Sequence, residues 1–348
     1  MPASASGRFH TPPHVGHLRA GSLNAMTDVS GVSIGHSTLH QGEIQTGVTV
    51  IRAHAQSHFA HKVPAAAVVI NGFGKSVGLM QLDELGVFET PIALTNTFSV
   101  PVVAQAQIKQ AIALHPEIGR TWPTVNPLVF ECNDGYLNDI QAFAVHEEHY
   151  AQAHDSTNTH FQQGSVGAGR GMSCFELKGG IGSASRLVTV DGRLYTVGAL
   201  VLANFGKRDQ LTLNGQPVDT VTLRNTQEPE KGSIIMILAT DAPLDARQLR
   251  RLANRSTVGL ARTGSTLGHG SGDIALAFST AYTYPHDRSV DMPSIQMVHE
   301  QNLDGLFQAV ADSVEQAILH ALWYAESVIG RAGHDRQALL DAYPNLRA

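Results

Sequence analysis

From about Thr27 onward, short apolar runs alternate with segments of helical spacing. V-T-V-I-R (48–52), A-A-A-V-V-I-N-G-F (65–73), I-A-L-T-N-T-F (92–98) and P-L-V-F-E-C-N (127–133) have strand length and composition. Between them, residues 76–85 and 102–114 space their apolar side chains as helices do. R-L-V-T-V-D-G-R-L-Y-T-V-G-A-L-V-L-A-N (186–204) predicts two strands joined at Asp191-Gly192, because that dipeptide readily takes the left-handed backbone of a two-residue hairpin turn. Past Ser233 the pattern predicts a strand, a helix at about 245–261, the strand D-I-A-L-A-F-S-T (273–280) and a long amphipathic helix at about 304–328. Buried-looking strands interleaved with amphipathic helices point to a layered α/β or α+β protein, with helices covering a double sheet.

Three stretches depart from this rhythm. Residues 1–24 are rich in Pro, Ser, Gly and His without periodicity, which predicts a mobile arm ahead of a single domain spanning 25–348. Residues 164–183 are mostly Gly, Ser and Ala, as in a tight loop whose backbone approaches a ligand. Residues 207–232 are polar, turn at Asn214-Gly215 and end in T-Q-E-P-E-K-G, so they read as an exposed linker.

Composition narrows the function classes. A chain of 348 residues with 43% apolar content can bury a full core. Its formal charge of −6 offers no basic face to nucleic acid. No run of 18 apolar residues exists, and the N-terminus lacks a basic stretch followed by an apolar one, so neither membrane nor export is expected. Cys132 and Cys174 are too few for a disulfide framework, which suits a reducing cytoplasm.

Several motifs imitate known sites. G-V-S-I-G (31–35) matches a nucleophile elbow, yet the residues after Ser33 read as a turn where an elbow needs a helix. F-G-K-S (73–76) ends like a phosphate loop but has Val69 where the first glycine belongs. His54, His58 and His61 read as a solvated loop between two strands, and H-E-E-H (146–149) as a polar helix face, so no metal is expected.

The boundary P-E-K-G-S-I-I-M-I-L-A-T-D-A-P-L (229–244) carries the chemistry. A serine hydroxyl needs a base, and no Ser/His/Asp set stands out. Cutting the chain before Ser233 would supply one, because the new α-amine, with a pKa of about 7.7–8.0, sits on the nucleophile itself. Gly232 suits such a cut, since it has no Cβ to obstruct attack on its carbonyl.

This stretch resembles the signature around the nucleophile of the self-processing DmpA/BapA aminopeptidases, a family of L-aminopeptidase/D-amidases and β-peptidyl aminopeptidases. T-D-V-S-G-V-S-I-G-H, T-G-V-T-V-I, I-N-G-F-G-K-S-V-G-L, N-D-G-Y-L-N-D, G-S-V-G-A-G-R-G-M, V-G-A-L-V-L-A-N-F-G and S-G-D-I-A-L-A-F-S-T resemble the family in the same order, across 27–330. The resemblance implies an αββα sandwich of the N-terminal-nucleophile type, cut into 1–232 and 233–348. It implies Ser233 as nucleophile and autocleavage residue after Gly232, Ser271 and Asp273 as an accompanying hydroxyl/carboxylate pair, Asn204 in the oxyanion hole and Tyr136 lining the site. Asp273 stands where some relatives carry Glu. Glu131 and Asp134 are candidates for binding the substrate ammonium. No cofactor is implied; the substrate would be a short peptide or aminoacyl amide, and several processed pairs would assemble. Amidases and acyltransferases of the same fold use Thr at the nucleophile, and an uncut binding protein would keep the Gly232-Ser233 bond.

Overall fold

The computed structural model describes residues 11–218 and 232–347. Residues 219–231, the core of the expected linker, lie outside the described residues. The main elements are β1 (Ser33–Gln41), β2 (Ile44–Arg52), β3 (His61–Gly72), α1 (Leu79–Leu85), β4 (Ile92–Asn96), α2 (Val100–Leu114) and β5 (Leu128–Cys132). They continue with α3 (Glu147–Asp155), β6 (Gly180–Val190), β7 (Arg193–Asn204), β8 (Ser233–Thr240), α4 (Ala246–Arg262), β9 (Gly272–Ser279) and α5 (Asp304–Trp323). One sheet runs β1-β2-β4-β5; the other runs β3-β9-β8-β7-β6, with short pieces at Val87–Phe88 and Tyr284–Pro285 beside β3. In the second sheet β8 and β9 are parallel and the other long pairs antiparallel.

Strand β8 shows why its sequence is apolar at nearly every position. Ile234, Met236 and Leu238 pack with Leu249, Leu252, Val310 and Val314 of the helices α4 and α5. Ile235, Ile237 and Ala239 pack with Ile51, Leu94 and Phe130 of the opposing sheet. Each large side chain buried this way stabilises the fold by roughly 1.5–3 kcal/mol. Beyond the first sheet, Val48, Val50, Ala93 and Val129 meet Val100, Val103, Tyr150 and Ala153 of α2 and α3. Helix, sheet, sheet, helix: the architecture is the expected αββα sandwich.

Helix α4 starts at a reciprocal cap, in which Asp245 Oδ1 accepts from Gln248 N at 2.7 Å and Gln248 Oε1 from Asp245 N at 3.3 Å. Its buried Leu249, Leu252, Ala253, Ser256 and Leu260 form one stripe. Helix α5 lies on β6, and the contact is close at Gly182, where a Cβ would stand 1.9 Å from the Ala317 carbonyl oxygen. The hairpin turn at Asp191-Gly192 has both residues at positive φ, as the dipeptide predicted, and Asn214-Gly215 repeats it. Among the described residues no helix is long and apolar enough to cross a membrane.

Four expectations differ from the structure. The described part of the arm is docked: Val15 is buried, its N–H donates to Gln316 Oε1 at 2.8 Å and its carbonyl accepts from Arg186 Nη2 at 2.6 Å. Buried Arg186 and Gln316 need partners, and the backbone of the arm supplies them. Residues 33–41, read as a turn, form β1; its small and polar residues lie under α3, where Gly35 allows the backbones to approach and Ser37 Oγ donates to Gln152 Oε1 at 2.8 Å. The histidine loop is packed rather than solvated: His58 is 4% exposed, stacks on His54 and accepts from Ala53 N at 3.2 Å. Burial holds the His58 imidazole well below its ordinary pKa, consistent with a neutral acceptor. Finally, α5 ends at Trp323, five residues short of its predicted end.

Candidate active site

Strand register sets the site. Asn204 at the end of β7 pairs with Ser233 at the start of β8, and Ser233 pairs with Gly272 at the start of β9. Ser233 Oγ donates to the Gly232 carbonyl at 2.7 Å and accepts from Gly272 N at 3.1 Å. The same Gly272 N lies 3.3 Å from the Gly232 carbonyl oxygen. One N–H thus touches both the hydroxyl and the carbonyl of the bond before it. Gly232 is required here for a reason beyond access: a Cβ would fall 2.6 Å from the Asn204 carbonyl oxygen and 2.7 Å from Phe205 Cα. Gly272 likewise lies under the Phe73–Gly74 corner, with a Cβ 2.7 Å from the Phe73 carbonyl oxygen.

Ser271 and Asp273 flank Gly272, and Ser271 Oγ donates to Asp273 Oδ1 at 2.6 Å. The turn that carries Ser271 is held by Asn71, whose Nδ2 donates to the carbonyls of Gly268 at 3.2 Å, His269 at 3.1 Å and Ser271. Asn204 is fixed at both ends of its amide. Its Oδ1 accepts from Ser173 N at 2.8 Å, and its Nδ2 donates to the Asn133 carbonyl at 3.0 Å. A primary amide has two N–H groups, so one remains beyond the bond to Asn133.

Glu131, near the end of β5, is almost fully buried and accepts from Lys75 N at 2.8 Å and from Thr97 Oγ1. A Cβ on Gly74 would lie 3.6 Å from its Oε1 and 3.9 Å from Gly272 Cα, so the carboxylate sits under the corner that covers Gly272. Asp134 is placed differently from the ammonium contact expected of it. It is fully buried beneath Gly171 and accepts from Asn138 Nδ2 at 3.0 Å, so it has no surface to present to a substrate.

Burial pushes the Asp134 carboxyl up to about 7, against hydrogen bonds from Thr46, Asn138 and Asn96. The folded protein therefore keeps this proton over a range where the unfolded chain has released it. Stability from the group is present at acid pH and is lost as pH rises through about 7. Asp134→Asn, which has no charge to desolvate, is expected to gain in melting temperature relative to wild type between roughly pH 4 and pH 8. A difference that stays flat across that range would contradict the assignment.

Tyr136 is 40% exposed, and its ring stacks with His334 at 4.6 Å between ring centres and meets the Arg336 guanidinium 3.6 Å from its own centre. The glycine-rich segment forms the wall beside Asn204. It is tied from inside by Lys178, a fully buried residue that sequence reasoning passed over, whose Nζ donates to the carbonyls of Gly169 at 2.9 Å, Met172 at 2.9 Å and Gly179 at 2.7 Å. Its signal was a single Lys inside a run of small and apolar residues. A cavity of about 760 Å³ lined by Arg193, Tyr195, Asp241 and Tyr282 opens at the opposite end of β7 and β8, away from this constellation.

The pattern of Peptidase family S58 matches residues 24–336. A beta-peptidyl aminopeptidase BapA from Sphingosinicella microcystinivorans is 36% identical over 92% of this chain and 86% of its own length. The solved PH0078 protein from Pyrococcus horikoshii OT3 superposes with a TM-score of 0.89 at 47% identity, over 95% of this chain and 96% of that one. An L-aminopeptidase D-Ala-esterase/amidase from Ochrobactrum anthropi, described as a prototype for the serine aminopeptidases and a variant of the Ntn hydrolase fold, superposes with a TM-score of 0.86 at 35% identity, over 96% and 98%. With that pattern spanning most of its length and these relatives matching nearly all of it, the chain belongs to peptidase family S58, the DmpA/BapA type of aminopeptidase.

Proposed function

We propose that the protein cuts itself between Gly232 and Ser233 and then releases N-terminal residues from short peptides and aminoacyl amides through an acyl-enzyme on Ser233. The observation that carries this reading is the Ser233 hydroxyl held between the Gly232 carbonyl and the Gly272 N–H. In self-cleavage, Ser233 Oγ attacks the Gly232 carbonyl carbon, the peptide C–N bond breaks, and the nitrogen takes a proton to become a free α-amine. Water then hydrolyses the Gly232 ester and restores the hydroxyl. The Gly272 N–H, already within reach of that carbonyl, stabilises the oxygen as charge develops.

In turnover the new amine accepts the proton from Ser233 Oγ as it attacks the substrate carbonyl, the substrate C–N bond breaks as the leaving amine carries that proton away, and water then hydrolyses the acyl-enzyme to release the residue and restore the hydroxyl. The free N–H of Asn204 and the Tyr136 hydroxyl serve the oxyanion, and the Ser271/Asp273 pair accompanies proton movement beside Gly272. Glu131 holds the substrate ammonium. Exposed Phe73 and Phe98 lie on the segments that donate to Glu131, and exposed Phe143 stacks on Phe98, giving apolar surface for a small side chain of an L-, D- or β-residue. Intact mass of the purified protein is expected to show two chains of 232 and 116 residues, the shorter beginning Ser-Ile-Ile-Met. A single uncut chain that hydrolyses aminoacyl amides at full rate would overturn the mechanism.

A further inference from the structure

We infer that Arg336 is a positioning residue for the oxyanion side of the site, an inference that rests on the function proposed above. Residues 330–337 run as a strap over two loops that reach Asn204. On one side Arg331 N donates to the Leu137 carbonyl at 2.7 Å, Arg331 Nε to the Gly135 carbonyl at 3.1 Å, and His334 Nδ1 lies 2.9 Å from the Tyr136 carbonyl oxygen. On the other, Lys178 N donates to the Gln337 carbonyl at 2.8 Å. Arg336 joins the two loops with one side chain: its guanidinium lies over the Tyr136 ring at 3.6 Å while its Nε donates to Ser173 Oγ at 3.1 Å.

These contacts close a circuit. Ser173 N donates to Asn204 Oδ1, Asn204 Nδ2 donates to the Asn133 carbonyl, and Asn133 opens the turn that carries Tyr136. Both ends of the Asn204 amide, and the Tyr136 ring, therefore depend on loops that Arg336 ties together. Arg suits the position because its planar face stacks on an aromatic ring while its edge donates a hydrogen bond; the ammonium of Lys cannot do both from one place. Arg336 lies after the proposed cut, whereas Ser173, Tyr136 and Asn204 lie before it, so the contact also spans the two processed chains.

Arg336→Ala, Arg336→Lys and Ser173→Ala, each compared with wild type on alanyl and β-alanyl nitroanilides, test this. Arg336→Ala is expected to be cut at Gly232-Ser233 and to lose about 10- to 100-fold in kcat, the usual scale for a residue that orients a catalytic group, with a smaller change in KM. Ser173→Ala, which keeps the backbone N–H but removes the acceptor of Arg336, shifts in the same direction, and Arg336→Lys recovers part of the loss through the ring contact. Hydrogen exchange in 133–137 and 171–174 is expected to quicken in Arg336→Ala while 233–240 keeps its protection. Faster exchange with unchanged kcat would leave Arg336 merely structural, and lost kcat or raised KM with unchanged exchange would mean that it touches substrate; either result overturns the inference. If wild type turned over no aminoacyl amide, the proposed function would fall, and exchange alone would still decide whether Arg336 orders these loops.

Discussion

Ser233→Ala is expected to leave one chain of 348 residues and to lower kcat on aminoacyl amides by about 10⁴- to 10⁶-fold, the scale seen when a hydrolase loses its nucleophile. The substitution removes the only protein atom in the proposal that forms a bond to substrate, and it removes the attacking group of the self-cleavage as well. Folding should survive. Ala fits the start of β8, and the two hydrogen bonds lost are those to the Gly232 carbonyl and from Gly272 N, a cost of about 1–2 kcal/mol. Gly272 N keeps the Gly232 carbonyl within 3.3 Å as an alternative partner. Intact mass and nitroanilide turnover on the same preparation read both effects. Fragments from the variant, or an undiminished rate, would move the nucleophile elsewhere.

Lys178→Met is expected to destabilise the fold by about 3–5 kcal/mol, because three buried carbonyls lose one shared donor at about 1–3 kcal/mol each. Met matches the length of the stem but donates nothing, so the carbonyls of Gly169, Met172 and Gly179 are left without their donor. Burial pushes the Lys178 ammonium well below its ordinary pKa. The charge of Arg170 adds to that push, and Cys174 and Asp134 oppose it. The urea midpoint should fall, and kcat should fall with it in the surviving folded protein, because the tied segment leads directly to Ser173 and its bond to Asn204. A loss under about 1 kcal/mol would mean that water replaces the Lys178 nitrogen, and that the segment needs no internal tie.

The layered fold was legible where burial leaves a simple mark. β8 is apolar throughout because both of its faces are covered, and the Asp191-Gly192 turn announces its own geometry. β1 and the first half of β6 were not legible, because close approach by α3 and α5 demands small residues such as Gly35 and Gly182, which read as loop. In the site, strand register brings Asn204, from a separate motif of the sequence, opposite Ser233 and next to Gly232. Asp134 was misjudged because a carboxylate in a turn motif looks the same in sequence whether it faces solvent or, as here, lies under Gly171. Arg336 carried no sequence signal, since its importance lies in two contacts with residues 163 and 200 positions away, one to Ser173 Oγ and one to the Tyr136 ring.

The strand order has a consequence for how a processed molecule comes apart. In β3-β9-β8-β7-β6, the two middle strands β9 and β8 follow the proposed cut, while β3 on one side and β7 and β6 on the other precede it. Neither product could keep a continuous sheet alone: the longer chain would be left with a gap two strands wide, and the shorter with a parallel pair bare on both edges. The proposed processing would thus turn a unimolecular folding problem into an association of two mutually dependent chains. From then on unfolding would also be dissociation, and resistance to heat would be a property that increases with protein concentration.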